Sequence, residues 1–124
     1  MIYGIGTDIV EIGRIRDAVE KWGDRFLKRI YTDNEIAYCY GKKDPFPHLA
    51  ARFAAKEGLF KASNIHASFS DIEILNEVSG KPCIHFIKDS LTAVFNSKSL
   101  LVHVTLSHER SHAIATVILE RKTV

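Results

Sequence analysis

Three charged residues are the strongest candidates for chemistry in this sequence: Asp8 near its start, and Glu57 and Lys61 in its middle. On a helix Glu57 and Lys61 share one edge, because they are four residues apart. Glu57 also follows Phe53 by one helical turn, which places its carboxylate beside an apolar stripe. A carboxylate there is usually paired, bound to a metal or catalytic, because burying it unpaired is very costly. A surface ion pair between Glu57 and Lys61 is the alternative.

Asp8 belongs to a segment, residues 2–10, whose side chains alternate as they do in a β-strand. Gly4, Gly6 and Asp8 fall on one side of this strand, so that side is open to close approach by a ligand or by a packed helix. If the central helix packs there, the carboxylates of Asp8 and Glu57 converge. Two carboxylates with positions left for water and phosphate oxygens suit Mg²⁺, and a nearby lysine can neutralise a phosphate.

The helix that must position Glu57 is predicted to run from about Pro45 to Asn64. Its expected core face is a stripe of four apolar residues at helical spacing: Phe46, Leu49, Phe53 and Phe60. Arg52 and Lys56 add positive charge to the same helix. The polar segment that follows, residues 64–70, has no period and is predicted to be a mobile loop.

The remaining elements favour an α+β fold, because one strand and several helices precede most of the strands. An amphipathic helix covers residues 12–22, and the capping box of Thr32 and Glu35 begins another. The later elements are a hairpin, a short helix and two strands: residues 72–76, 83–86, 89–95, 100–106 and 113–119. Both faces of the last strand are apolar or small, so we expect both to be covered. We expect one small domain, residues 1–124.

Bulk properties exclude several classes of protein. Hydrophobic residues make up 46% and charged residues 26% of the 124 residues, as in soluble globular proteins. A net charge of +2 does not indicate nucleic-acid binding. The sequence has neither a signal-peptide pattern nor an apolar run of membrane-spanning length, so we expect a cytoplasmic protein without a membrane partner. Cys39 and Cys83 match no metal or redox spacing and are expected to be free thiols.

A basic stripe on and just beyond the first helix, formed by Arg14, Lys21 and Arg25, suits an acidic protein partner. A solvated helix face is the alternative, and nearby acids argue against nucleic acid. His108 lies just past a predicted strand and can bind a phosphate or another oxygen. There is no Walker A loop, GxGxxG or nucleophile elbow, and the histidine spacing argues against zinc. Four histidines are expected to be surface or core residues: His48, His66, His85 and His112.

Four segments, in this order, resemble the motifs of the holo-acyl-carrier-protein synthases. They are residues 4–12 (GIGTDIVEI), residues 52–61 (RFAAKEGLFK), residues 80–82 (GKP), and residues 104–108 (VTLSH) followed by residues 113–120. The resemblance spans nearly the whole chain. It implies a fold in which an antiparallel sheet packs against a long central helix.

The resemblance implies a 4′-phosphopantetheinyl transferase of fatty acid biosynthesis. Such an enzyme moves phosphopantetheine from coenzyme A to a serine of apo acyl carrier protein and releases adenosine 3′,5′-bisphosphate. Carried over residue by residue, Asp8 and Glu57 would hold Mg²⁺, and Glu57 or a metal-bound water would be the base. Lys61 would stabilise charge on the transferred phosphate and the leaving group.

The same resemblance implies the binding surfaces. Lys61 and three further residues would contact coenzyme A: Arg52, Lys81 and His108. The acidic helix of the carrier protein would meet the basic stripe of Arg14, Lys21 and Arg25. The short members of this family are homotrimers with the active site between subunits, so we expect the same here.

Two departures from the family pattern stand out. Gly58 replaces the usual alanine, which predicts a helix that is either weaker or tightly packed at this point. The family's Gly-Thr-Gly after the helix is absent, and residues 63–66 (Ser-Asn-Ile-His) stand in its place. Two other functions remain open: a noncatalytic module whose basic helix binds an acidic protein or nucleic acid, and a Mg²⁺-dependent phosphohydrolase.

Overall fold

A computed structural model describes residues 1–123. Within them are five α-helices: α1 (Ile12–Trp22), α2 (Asp24–Ile30), α3 (Asp33–Tyr40), α4 (Pro45–Ser63) and α5 (Asp89–Ser97). There are also five β-strands: β1 (Ile2–Glu11), β2 (Ile72–Asn76), β3 (Pro82–Phe86), β4 (Leu100–His108) and β5 (His112–Arg121). A short 3-10 helix covers Phe69–Asp71. None of the helices described is both long and apolar enough to cross a membrane.

The strands form two antiparallel sheets. The larger sheet has the order β1-β5-β4, and the smaller one is the β2-β3 hairpin. In the larger sheet Gly6 lies opposite Val117, and Asp8 lies opposite Ala115. The longest helix, α4, packs against one face of this sheet, mainly against β1 and β5. The expected α+β fold, with an antiparallel sheet on a long central helix, is confirmed.

The glycines of β1 allow α4 to lie against the strand backbone. A Cβ atom added to Gly4 would lie 2.0 Å from the carbonyl oxygen of Ala62, and one added to Gly6 would lie 2.0 Å from that of Gly58. The open side of β1 is therefore used for helix packing. Gly58 is part of the same contact, because a Cβ there would lie 3.2 Å from Cγ2 of Val117. Of the two explanations for Gly58, tight packing is the one observed.

All four residues of the predicted core stripe of α4 pack against the core, but only one of them lies deep within it. Leu49 is fully buried, but Phe46, Phe53 and Phe60 are half-buried. The deepest positions are mostly small residues: Ala50, Ala51, Ala54, Ala55, Gly58, Leu59 and Ala62. Small side chains face the sheet because only they fit between α4 and the glycine side of β1. The rings of Phe53 and Phe60 pack on Phe69 of the 3-10 helix, which lies in the segment predicted to be a mobile loop.

A buried ion pair joins α4 to α3. Nζ of Lys56 lies 2.7 Å from Oε1 of Glu35, and both side chains are fully buried. Burial lowers the pKa of Lys56, and the Glu35 carboxylate opposes that shift. Glu35 also accepts from the backbone N–H of Thr32 in the predicted capping box and from that of Ile74 in β2. The positive charge that Lys56 adds to the helix is therefore buried and neutralised, and the pair holds α3, α4 and β2 together.

The outer face of the larger sheet is uncovered in this chain, although we expected β5 to be covered on both sides. Ile5 and Ile9 of β1 are each 63% exposed, and Ile114 of β5 is 42% exposed. Cross-strand pairing places Ile9 opposite Ile114 and Thr7 opposite Thr116. The exposed residues therefore form contiguous rows of apolar and threonine side chains.

Candidate active site

Asp8 and Glu57 line one cavity of about 460 Å³. Asp8 comes from β1 and Glu57 from the middle of α4. The glycine contacts described above hold this helix against this strand, so the backbone packing brings the two acids to one cavity. The convergence of Asp8 and Glu57 was conditional on that packing, and the packing is present.

Lys61 is paired with Asp8 rather than with Glu57. Its Nζ donates to Oδ1 of Asp8 at 3.0 Å and to the carbonyl oxygen of Thr7 at 3.0 Å. The Asp8 side chain is 18% exposed, whereas that of Lys61 is 51% exposed. Within residues 1–123 Glu57 has no ion pair or side-chain hydrogen bond. The proposed surface pair of Glu57 and Lys61 is therefore absent, and the Glu57 carboxylate is available to a ligand.

Glu57 also lines a second opening, of about 410 Å³, at the end of α4. Lys61, Asn64 and His66 line it too. Asn64 ends the helix in a left-handed conformation with φ of 56°, which few residues other than glycine and asparagine adopt easily. Asparagine thus performs the helix-ending role in a chain that lacks the family's Gly-Thr-Gly. His66, expected to be an ordinary surface residue, lies at the same opening as Glu57.

Arg52 and His108 line a different cavity, of about 210 Å³. The Arg52 side chain is buried and lies over the ring of Tyr38, 4.2 Å from its centroid. It donates to Oδ1 of Asn76 at 2.6 Å and to the carbonyl oxygen of His48 at 3.4 Å. Its buried Nε has no partner within residues 1–123. A buried, incompletely bonded guanidinium beside a cavity is suited to an anion.

Two histidines meet at this cavity. The rings of His48 and His108 lie edge to face, with centroids 5.5 Å apart. Burial lowers the pKa of His48, and the neighbouring charges of His108 and Arg52 lower it further. An arriving anion would oppose those effects and favour the charged ring. His48 was missed from the sequence because its partner at the end of β4 is 60 residues away.

Lys81 lies in the turn between β2 and β3 and is exposed. Its neighbours Gly80 and Pro82 line the cavity of Arg52 and His108. Of the four residues expected to contact coenzyme A, Arg52 and His108 line this cavity and Lys81 adjoins it, whereas Lys61 lies at Asp8. The structure does not place the first three with Asp8 and Glu57, because the two cavities have no lining residue in common.

Comparison with known proteins identifies the family. The sequence model of the 4′-phosphopantetheinyl transferase superfamily matches residues 4–117. The chain belongs to that superfamily. Holo-acyl-carrier-protein synthase of Halothermothrix orenii is 43% identical over 97% of this chain and 98% of its own length. That of Protochlamydia amoebophila is 44% identical over 93% of this chain and 97% of its own length.

Solved structures of transferases in this superfamily have the same fold. The crystal structure of holo-acyl-carrier-protein synthase from Neisseria meningitidis is similar with a TM-score of 0.89 and 36% identity, covering 98% of this chain and all of the other. The synthase of Helicobacter pylori in complex with coenzyme A has a TM-score of 0.80 and 32% identity, covering 94% of this chain and 99% of the other.

The three residues of the expected basic stripe lie in three different surroundings in the structure. Arg14 lines the cavity of Asp8 and Glu57. Lys21 lies over the ring of Trp22, with Nζ 5.0 Å from the centroid. Arg25 lines a separate groove with Trp22. Trp22 is 50% exposed, so this basic surface also offers a large apolar contact, which the charge pattern did not indicate.

The donor atoms at the acidic cavity fit Mg²⁺ better than a softer metal. Asp8 and Glu57 supply only carboxylate oxygens, the ligands preferred by hard cations. Within the described residues no group of three or more His, Cys, Asp or Glu side chains converges. A two-carboxylate site leaves most positions to water and phosphate oxygens, as Mg²⁺ favours. The ion pair with Lys61 shows that Asp8 is already placed to accept a cation.

Proposed function

We propose that this protein transfers 4′-phosphopantetheine from coenzyme A to a serine of an apo acyl carrier protein. The observation that carries the proposal is the single cavity lined by Asp8 and Glu57, with Lys61 bonded to Asp8. Relatives named holo-acyl-carrier-protein synthase support it at 43% identity over nearly the whole chain. The complex of the Helicobacter pylori synthase with coenzyme A supports the choice of donor.

Asp8 and Glu57 would hold the Mg²⁺ ion at the diphosphate of coenzyme A. When bound, the ion would offset the negative charge on the phosphoryl oxygens during transfer. The two ligands come from different elements, so their spacing depends on the contact between β1 and α4. Asp8 is mostly buried, which keeps its carboxylate in one orientation, whereas Glu57 is free to turn toward the ligand.

Lys61 would contact the phosphate being transferred. Its side chain is half-exposed, so its ammonium group can leave Asp8 at a modest cost, as for other exposed ion pairs. It would then stabilise the charge that develops on the leaving group, adenosine 3′,5′-bisphosphate. His66, at the opening shared with Glu57 and Lys61, would face the same part of coenzyme A.

A further phosphate of coenzyme A would bind in the cavity of Arg52 and His108. The unpartnered Nε of Arg52 supports this assignment, because a bound oxygen would satisfy it. Lys81, on the adjoining turn, would add a mobile positive charge. Arg52→Lys should raise KM for coenzyme A while leaving kcat nearly unchanged, because lysine lacks the planar guanidinium that lies over Tyr38.

The two cavities would act together in a homotrimer. On one chain they share no lining residue, and in the proposed assembly coenzyme A would contact one cavity of each of two neighbouring subunits. The exposed rows on the larger sheet, which include Ile5, Ile9 and Ile114, provide an apolar face for that contact. An assembly would also cover the outer side of β5.

The trimer is tested with a charged substitution on this face. Ile114→Glu should produce a monomer in light scattering and abolish transfer, because a carboxylate cannot be buried in the interface. Val78→Glu is the matched control, since Val78 is an exposed apolar residue in the hairpin turn. A wild-type protein that is monomeric and fully active at assay concentration would refute the trimer.

The carrier protein would dock against the basic surface beside the acidic cavity. Arg14 lies at the cavity itself, and Lys21 and Arg25 extend the charge along the neighbouring helices. An acidic helix would pair with these charges and cover the exposed Trp22. Replacing Arg14 with Gln should raise KM for the carrier and weaken the dependence of its binding on salt.

The reaction is tested by mass spectrometry of an apo carrier protein incubated with coenzyme A and Mg²⁺. Wild-type protein should add one phosphopantetheine, whereas Asp8→Asn and Glu57→Gln should each reduce the rate by at least about 100-fold. Glu77→Gln, which changes an exposed acid in the hairpin turn, is the control. Phosphate release from coenzyme A without a carrier would instead favour a phosphohydrolase, and salt-sensitive nucleic-acid binding without transfer would favour a binding module.

A further inference from the structure

The turn between β4 and β5 links a carboxylate, a hydroxyl and an imidazole. Oγ of Ser111 lies 2.7 Å from Oε1 of Glu109 and 2.8 Å from Nδ1 of His112. The same Glu109 oxygen accepts from the backbone N–H groups of Ser111 and His112, at 2.7 and 2.6 Å. These bonds fix the carboxylate and the hydroxyl on one side of the imidazole ring.

The pattern of donors determines which ring nitrogen of His112 is free. The Ser111 hydroxyl, followed by the Ser111 backbone N–H, lowers the pKa of Glu109 to about 2, so this carboxylate is ionised and can only accept. The single hydroxyl proton of Ser111 must therefore point to Glu109. The Ser111 oxygen is then left to accept a hydrogen bond from the Nδ1–H group of His112. A neutral ring with its proton on Nδ1 has a lone pair on Nε2, where it can act as a base.

His112 is a lining residue of the cavity that holds the two acids. His112 lines that cavity together with Asp8, Glu57 and Arg14. Glu11, its cross-strand neighbour on β1, lines it as well. Within residues 1–123, no hydrogen bond links His112 to Asp8 or Glu57, and Nε2 has no partner. The charged residues that line the cavity with His112 are thus Asp8, Glu11, Glu57 and Arg14, and Glu109 lies 3.4 Å from its Nδ1 in the turn.

We propose that His112 accepts the proton of the attacking carrier serine. This assignment rests on the proposed transferase function. The serine oxygen forms a bond to the phosphorus that carries pantetheine, and the bond from that phosphorus to the bridging oxygen breaks. The electron pair leaves with adenosine 3′,5′-bisphosphate, and the serine proton passes to Nε2. Glu109 and Ser111 are positioning residues, because they hold the ring with its acceptor nitrogen away from the turn.

His112→Gln tests the proposal, since glutamine keeps polarity and approximate size but cannot accept a proton at neutral pH. General-base catalysis contributes about 10²–10⁴-fold, so kcat should fall by at least about 100-fold, with KM for coenzyme A changed by less than about twofold. The pH dependence of kcat should differ between the wild-type enzyme and the variant, because only the wild type carries a base on the ring.

Two further variants complete the test. His85→Gln changes an exposed histidine on β3 and should behave as wild type at every pH. Ser111→Ala removes the hydroxyl that orients the ring and should lower kcat by about tenfold, with unchanged thermal stability. If His112→Gln does not fold, Ser111→Ala alone decides the question, and an unchanged rate overturns the proposal.

The proposal is refuted if His112→Gln is folded and retains more than about a third of the wild-type kcat with the same pH profile. Glu57 or water would then be the base. A failure of the transferase function itself would be recognised differently, because the wild-type protein would then add no phosphopantetheine to the carrier at any pH.

Discussion

Gly6→Ala is the substitution that most directly probes how the acidic cavity is built. The added Cβ would lie 2.0 Å from the carbonyl oxygen of Gly58 and 2.8 Å from the backbone nitrogen of Ala62. Both atoms belong to the backbone of α4, so no side-chain rotation can relieve the clash. Since Cβ contacts shorter than 3.0 Å are essentially never observed, α4 must move away from β1 by about 1 Å or more.

That displacement has two consequences of known size. Overpacking of a core costs about 1–3 kcal/mol and occasionally more, and the upper end applies because the clash is with backbone. The free energy of unfolding should therefore fall by about 3 kcal/mol. The shift would also separate Asp8 from Glu57, and a 1 Å misplacement of catalytic groups can reduce the rate by about 100-fold.

The two effects are measured by urea unfolding at fixed protein concentration and by the carrier-protein mass assay. Gly13→Ala is the control, because an added Cβ at that position in α1 meets no atom within 4 Å. It should stabilise the protein by about 0.5–1 kcal/mol through helix propensity, without a loss of activity. A Gly6→Ala variant with stability within about 1 kcal/mol of wild type and full activity would contradict the packing argument.

Three further predictions concern groups outside the catalytic cavity. Glu35→Ala should lower the free energy of unfolding by about 3–5 kcal/mol, because it leaves the buried Lys56 unpaired; an effect below about 1 kcal/mol in urea unfolding would refute this. Asn64 has a left-handed φ of 56°, which glycine adopts easily and alanine does not. Asn64→Gly should therefore raise the free energy of unfolding by about 0.5–1 kcal/mol, and Asn64→Ala should lower it by about 1 kcal/mol. The reverse order of stability would contradict this prediction. Cys83 should react with a thiol reagent at pH 8 before the buried Cys39, whose pKa burial raises to about 11; equal rates would be inconsistent with the structure.

Local signals in the sequence predicted most of the fold. The central helix was expected from about Pro45 to Asn64 and runs from Pro45 to Ser63. The helix begins at a proline, whose fixed φ suits the first helical position, and ends before an asparagine, which readily adopts the left-handed conformation that ends a helix. Thr32 and Glu35 form the expected capping box for the same kind of reason. These features depend on residues within one helical turn of each other, so the sequence alone contains them.

Which side chains of α4 are buried depends on contacts with residues far away in the sequence, and local patterns do not reveal such contacts. Arg52 and Lys56 are one helical turn apart, and the sequence showed both only as positive charges on the same helix. Both are buried, because Lys56 meets Glu35 and Arg52 meets Asn76, each more than 20 residues away in the sequence. The most deeply buried face of α4 was also misjudged. Alanine is much less hydrophobic than phenylalanine, so the spacing of the phenylalanines dominated the pattern.

One signal for that core face was present in the sequence. A strand whose inward positions are Gly4 and Gly6 can only be covered by an element with equally small side chains at the contact. The alanine positions and Gly58 on α4 meet that requirement, whereas the phenylalanine stripe does not. Matching the sizes of residues on two elements would have identified the buried side of the helix correctly.

In the proposed trimer, the separation of the two cavities would link substrate binding to assembly. Arg52 keeps a buried Nε without a partner in residues 1–123, and the sheet keeps Ile5, Ile9 and Ile114 exposed. Both features are unfavourable in an isolated chain, because a buried donor loses water and an apolar face remains hydrated. In the proposed trimer, coenzyme A would satisfy the donor and neighbouring subunits would cover the face. Coenzyme A that spans two subunits should therefore stabilise the trimer against dissociation, and Arg52→Lys should weaken that effect without changing the assembly of the unliganded protein.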